Sequence, residues 1–326
     1  MSYDDEAVDV RPLALAWVGR HLARGERVVA TEALHGGITA EMRRLTVGAP
    51  DGATRHLVLR TFADPFFAAQ AGELLNREAG VLALLAGTGV PAPVPVAVDP
   101  AAAHCEYPSL LMTHLPGRTV LEDRGLEARV PLLARQLVAI HAVRPAERPR
   151  PYTAWTTADA VVPPDGADAV AWAAAADVIR KPAPPYEGRF LHRDFHPGNV
   201  LFDVTPPGQA GPPAPAGLRI TGVVDWVETS WGPADLDVAH CSSNLAMLHG
   251  PEWGLRFAEA YEEAGGVPAT AAGDRLYWRL LDALAFSTEV RSVVRPWQEA
   301  GRTELTTRTV EGRLDAYVTA LLDTLG

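Results

Sequence analysis

The sequence predicts an α+β fold in which a small antiparallel sheet near the start precedes a larger, mainly helical part. Three observations support this. Residues 27–34, 40–47 and 56–62 are short runs rich in β-formers, with a Gly-Gly pair and an Asp-Gly turn between them. Beyond Pro116-Gly117, apolar residues recur at helical spacing over 127–143, 251–264, 273–294 and 304–325. The Pro-Gly breaker between the two regimes sets the expected boundary, giving domains 1–115 and 116–326.

Taken in order, Val10, Leu13, Trp17 and Leu22 predict a first helix over 8–23, stopped by Gly25. The three strands follow, and then a helix from about Gln70 to Ala86. Residues 81–98 are the longest uncharged stretch, yet Gly87, Gly89, Pro91, Pro93 and Pro95 exclude a membrane helix there. Pro108 to Leu115 reads as a buried strand. In the helix over 127–143, His141 is expected to be a packed core histidine. Residues 144–168 show no periodicity, and an alanine-rich helix resumes over 169–180. Thr205 to Gly217 is low-complexity and short of branched or aromatic side chains, a hairpin tip rather than core.

The chemistry concentrates in His192-Arg193-Asp194-Phe195-His196-Pro197-Gly198-Asn199, a loop between the apolar run ending at Leu191 and the strand Val200-Leu201-Phe202. Asp194 and Asn199 stand at the H-x-D-x-x-x-x-N spacing. In phosphoryl transfer the Asp of that pattern orients or deprotonates an attacking hydroxyl and the Asn holds magnesium on the nucleotide phosphates. A second run, Leu218 to Val224, ends in Asp225. If 199–203 and 218–224 form a hairpin, Asn199 and Asp225 arrive at one end of it, an amide and a carboxylate suited to a hard cation. The duller alternatives are an aspartate capping a turn, or a metal site made by His192, His196 and Asp194; Pro197 prevents the continuous helix that a helical His pair needs.

HRDFHPGN and VVDW, followed by Gly232-Pro233-Ala234-Asp235-Leu236-Asp237-Val238-Ala239, resemble the aminoglycoside phosphotransferase and choline kinase family of small-molecule kinases. The match runs in order through most of the chain. The resemblance implies a bilobal protein-kinase-like fold, with a small antiparallel-sheet N-lobe and a larger, mainly helical C-lobe. It implies ATP or GTP as phosphoryl donor with Mg²⁺, Asp194 as catalytic base, and Asn199 and Asp225 as metal ligands. Arg60 falls where kinases carry a strand lysine, and it resembles the family's arginine variant, paired with Glu78 of the next helix. The turn Gly36-Gly37 would lie on the phosphates, where only a backbone without Cβ comes close enough. Backbone groups from Thr113 to Leu115 would pair with the adenine. Asp237 would hold the catalytic loop. Arg193 replaces the glycine usual in the family and is expected to form a local salt bridge; Glu228 and Asp235 are expected at the surface, where they could face a cationic acceptor.

Composition bounds the partners. A net charge of −11 argues against nucleic acid or an anionic membrane as main partner. Before residue 117 there are 9 basic and 13 acidic residues, and after it 20 and 27, which suits a cationic acceptor on the second domain. Lys181 is the single lysine, and no GK[ST] occurs, so a P-loop is excluded. The acidic start and the lone Cys105 and Cys241 fit a cytoplasmic protein without a signal peptide. The expected function is O-phosphorylation of a small hydroxyl-bearing molecule, an aminoglycoside or other antibiotic first, a metabolic alcohol such as choline or homoserine next. A nucleotide-binding pseudokinase scaffold is the rival from another class. The intact Asp194, Asn199 and Asp225 speak against it. The six-residue gap from Asp225 to Gly232 is too short for an activation segment and speaks against a protein kinase.

Overall fold

The structure, a computed structural model, describes residues 10–34, 40–203 and 218–326. The Gly36-Gly37 turn and the low-complexity 205–217 segment lie outside the described residues. The chain separates into two compact units, Met1–Thr88 with Ala92–Leu115, and Gly89–Pro91 with Pro116–Gly326. Among the described residues no helix is long and apolar enough to cross a membrane.

In the first unit, helix α1 (Pro12–Arg20) turns Trp17 and Val18 inward. Its first amides are satisfied from a distance, because the Glu106 carboxylate accepts from Leu13 N at 2.8 Å and Ala14 N at 3.0 Å. Strands β1 (Arg27–Leu34), β2 (Glu41–Gly48) and β3 (Thr54–Thr61) pair antiparallel in sequence order. Two further strands, β4 (Pro95–Asp99) and β5 (Ser109–Thr113), complete an antiparallel sheet of order β1-β2-β3-β5-β4. Strand β4 is absent from the sequence reading because its prolines read as breakers. Pro95 is tolerated as the first residue of an edge strand, where a missing N–H costs no ladder bond. Leu45, Leu57, Leu59 and Leu111 pack with Trp17 as this unit's core.

Helix α2 (Pro65–Leu85) begins five residues before the expected Gln70. Asp64 caps it by accepting from Phe66 N at 2.8 Å, and Pro65 supplies the preset φ of a first helical turn. Arg60 of β3 and Glu78 of α2 form a buried ion pair, with Nη1 3.0 Å from Oε1 and 2.9 Å from Oε2.

The second unit is built on helices α3 (Leu126–His141), α4 (Ala169–Ile179), α5 (Ala234–His249), α6 (Pro251–Glu263), α7 (Ala272–Ala285), α8 (Val290–Glu299) and α9 (Thr307–Leu325). Their core gathers Trp172, Trp278, Leu280, Leu314, Tyr317 and Trp297. Two small antiparallel ladders sit in this unit: β6 (Gly188–Leu191) with β9 (Ser230–Pro233), and the expected hairpin of β7 (Val200–Asp203) with β8 (Arg219–Val223). Gly188 is required where β6 meets β9, since a Cβ there would lie 2.0 Å from Trp231 Nε1.

Two helical expectations are corrected. The run 273–294 is two helices, interrupted by a tight turn at Phe286–Thr288. Ser287 and Thr288 are poor helix-interior residues because their hydroxyls compete for backbone partners. Helix α5 has no counterpart in the sequence reading because all sixteen of its residues are buried, leaving no polar face to mark a period.

Two outcomes follow. Glu78→Ala leaves Arg60 charged and buried, and urea unfolding should show a loss of about 3–5 kcal/mol, most of it recovered in the double variant Arg60→Met/Glu78→Leu. Asp64→Ala removes the α2 cap and should cost about 1 kcal/mol in the same measurement.

Candidate active site

The site is assembled around the loop that follows β6. Its first two amides are held by one buried carboxylate: His192 N donates to Asp237 Oδ2 and Arg193 N to Asp237 Oδ1, both at 2.8 Å. Asp237 lies in the first turn of α5 and is completely buried. His141 Nε2 approaches the same Oδ2 at 3.1 Å, while its Nδ1 lies 2.7 Å from the Tyr261 hydroxyl. Burial works against the Asp237 charge, but the hydrogen bond from His141 and nearby positive charge hold its pKa below the usual value.

Held this way, Arg193 takes φ 73°, a left-handed conformation that glycine adopts without strain and an arginine resists. The glycine usual at this position in the resembling family therefore has a local reason. The expected salt bridge is not formed: among the described residues no carboxylate pairs with the guanidinium. It lies over the Trp155 ring at 4.1 Å, and Nη2 donates to the Thr153 carbonyl at 3.2 Å.

The histidines serve as rigid connectors. His192 is fully buried, donates through Nε2 to the Val224 carbonyl at 3.1 Å and accepts the Asp194 amide on Nδ1 at 3.2 Å. Burial lowers its pKa, which keeps it the neutral ring that this bonding requires. His196 Nδ1 accepts from Gly198 N at 3.1 Å.

Asn199 brings the loop and the hairpin together. Its Nδ2 donates to the Asp194 carbonyl at 2.9 Å and to Asp194 Oδ2 at 3.0 Å, and its own carbonyl accepts Val224 N at 3.0 Å. Asp225, next in the chain, has φ 64°. Asp194, Asn199 and Asp225 thus fall at one end of the β7–β8 hairpin, and the amide nitrogen of Asn199 is spent on Asp194, leaving Oδ1 as its acceptor. An amide oxygen and a carboxylate are hard ligands, and a magnesium ion that keeps several waters and phosphate oxygens requires no more from the protein. The donor set fits such an ion. In keeping with so sparse a set, the described residues hold no cluster of three or more His, Cys, Asp or Glu arranged for a metal.

The residue that the sequence reading missed is His240 of α5. Its Nε2 lies 3.0 Å from Asp194 Oδ1 and its Nδ1 3.1 Å from Asp282 Oδ1 on α7. Phe286 stacks on the ring at 5.5 Å and Trp155 meets it edge-on at 5.1 Å. A single histidine on a uniformly buried helix carries no spacing signal, and Asp282 is equally silent in sequence. Burial pulls the His240 pKa down, but the Asp282 carboxylate and the hydrogen bonds to both aspartates override it and bring it to about 9. His196 is pushed down to about 4 by burial, further by the charge on His240, against a partial offset from Asp194. At neutral pH the positive charge beside Asp194 therefore resides on His240. Burial opposes ionisation of Asp194, yet the neighbouring imidazoles hold its carboxyl well below the ordinary range.

The remaining expected residues divide. Arg60 and Glu78 are joined in the first unit as described above. Of the backbone groups from Thr113 to Leu115 expected to meet the base, the Thr113 N–H donates to the Val94 carbonyl at 2.9 Å, and the Leu115 N–H meets no backbone carbonyl among the described residues. Glu228 pairs with Arg150 at 2.5 Å and is partly exposed. Asp235 is not at the surface: it is buried and accepts from Ala269 N at 2.9 Å.

Comparison with known proteins places this arrangement. No curated protein matches the chain. Among solved structures, a Ralstonia eutropha protein assigned to the aminoglycoside phosphotransferases superposes with TM-score 0.61 at 18% identity, covering 95% of this chain and 96% of that one. A thermostable mutant of aminoglycoside phosphotransferase APH(4)-Ia, solved with AMP-PNP and hygromycin B, gives 0.57 at 19% identity over 89% and 94%. The macrolide 2'-phosphotransferase MphH of Brachybacterium faecium gives 0.50 at 16% identity over 90% and 97%. These likenesses establish a shared protein-kinase-like α+β fold. The model of the phosphotransferase enzyme family, APH, matches residues 31–276, a span that runs from β1 into α7 and contains the whole loop, the hairpin and Asp237. On that match the chain belongs to the phosphotransferase enzyme family.

Proposed function

We propose that the protein transfers the γ-phosphoryl group of ATP or GTP to a hydroxyl of a small molecule, an aminoglycoside or a related antibiotic being the favoured acceptor. One observation carries the reading: the Asp194 carboxylate is held ionised and oriented, Oδ2 by Asn199 and Oδ1 by His240. A carboxylate offers roughly four acceptor positions, so lone pairs remain for an acceptor hydroxyl. Asp194 would align that hydroxyl for in-line attack and take its proton as the new O–P bond forms. Asn199 Oδ1 and Asp225 would hold magnesium, which when bound neutralises charge on the phosphates. Arg60, oriented by Glu78, would bind phosphate oxygens, and the Gly36-Gly37 amides would lie over them. Leu115 would offer its backbone N–H to the base. The acceptor preference is supported by relatives that act on aminoglycosides and macrolides and by the excess acid beyond residue 117. We place the reaction in the cytoplasm, where the two free, buried cysteines remain reduced.

A coupled ADP- or GDP-release screen over aminoglycosides, macrolides, peptide antibiotics and amino alcohols tests the assignment, and product formation with none of them would refute it. With an acceptor in hand, Asp194→Ala should lower kcat about 10²- to 10⁴-fold while nucleotide affinity by calorimetry stays within about twofold. A large loss of nucleotide affinity would contradict the role. Asn199→Ala and Asp225→Ala should instead raise the Mg²⁺ concentration needed for half-maximal rate, by about tenfold or more for the loss of a charged ligand.

A further inference from the structure

The buried connection from the loop to α7 is wider than the assigned chemistry needs. Asn199 already fixes one oxygen of Asp194. The other oxygen is reached by a histidine 46 positions away, which is itself held by an aspartate a further 42 positions on. Both His240 and Asp282 are almost wholly buried, at 4% and 3% exposure. A histidine that merely filled core space would be neutral and satisfied by one partner, because burying its charge is expensive. This one has a carboxylate on each ring nitrogen.

Resting on the phosphotransferase reading, we propose that His240 is a positioning residue for Asp194: clamped by Asp282, it donates Nε2–H to Asp194 Oδ1 and fixes the carboxylate plane that receives the acceptor hydroxyl. Asp282 accepts from Nδ1–H and makes no ion pair besides that with His240 among the described residues, so its placement is explained by this contact. The groups facing His240 are Asp194 and His196 from the loop, Asp282 from α7 and Asn244 one turn along α5; the Trp155 ring touches both His240 and the Arg193 guanidinium. Together Asp194, His240 and Asp282 carry a single net negative charge in their ionised form, which makes the burial tolerable. In the transfer step the acceptor oxygen bonds phosphorus, the bridging O–P bond of the triphosphate breaks, and the hydroxyl proton passes to Asp194. His240 keeps its own protons throughout.

The experiment has two arms on the full chain. Histidine-ring ¹H–¹⁵N NMR at pH 7.5, with the His240 signal identified by its loss in His240→Asn, should show both ring nitrogens protonated, and a neutral ring in Asp282→Asn. A neutral His240 in the wild type overturns the proposal, whether or not an acceptor has been found. In the second arm, Mg·ATP and Mg·GTP turnover with water as acceptor is followed. His240→Ala should lower kcat about 10- to 100-fold with KM for nucleotide unchanged within about twofold, and His240→Asn, which keeps a neutral donor, should recover part of the loss. The wild-type kcat should fall as pH rises through about 9, where His240 loses its proton, and this limb should vanish in His240→Asn. A folded His240→Ala with wild-type kcat, or equal kcat in the Ala and Asn variants, refutes the positioning role. Absence of any wild-type turnover counts against the phosphotransferase reading instead, and the NMR arm still decides the state of His240.

Discussion

The Asp237 carboxylate is the constraint on which the site depends. Each of its oxygens accepts one amide of the loop, and its own position is fixed by His141 and, behind it, Tyr261. A buried carboxylate with partners on every side is costly to displace, so the backbone at His192 and Arg193 has one available path. That path forces Arg193 into the left-handed region. The strain of holding a side-chain-bearing residue there is local, of order 1–2 kcal/mol, and is offset by the two charge-assisted bonds that impose it.

From this anchor the rest of the geometry propagates by short hydrogen bonds. His192 ties the loop to the Val224 carbonyl, Asn199 ties it to the Val224 amide, and both contacts seat Asp225 at the mouth of the hairpin. Histidines in such a loop invite a metal-binding reading, yet here each ring nitrogen of His192 is consumed by backbone. The electrostatics are equally divided: His192 and His196 are kept neutral by burial, whereas His240 is kept charged by two carboxylates. One imidazolium and one carboxylate in contact make the half-buried Asp194 a stable anion without an arginine at its side.

Conformational demands explain the choice of several unusual residues. Gly188 exists because two strands cross where an indole nitrogen occupies the space of a Cβ. Arg193 stands where a glycine would be unstrained, and it retains the position by covering Trp155 with its guanidinium, a contact that glycine could not make. Asp225 occupies a left-handed conformation that short polar side chains tolerate better than branched ones.

What the sequence determined on its own was whatever is encoded within a few residues. The α+β character, the three-strand start, the hairpin and the Asp194–Asn199 spacing are local patterns, and local patterns survive without knowledge of the rest of the chain; the Asp237 loop anchor was legible only through the family resemblance. The start of α2 is also a local signal, since Asp64 and Pro65 are a cap and a first helical residue. Tertiary structure alone decided the remainder. Helix α5 is buried all round, so no period announces it, and nothing in the spacing of 194, 240 and 282 foretells that their side chains meet. It also decided that Asp235 is core and that Arg193 finds an aromatic face instead of a carboxylate. The reason is the same in each case: the protonation and partners of a buried polar group are set by whichever distant elements pack against it, and packing is a property of the whole fold.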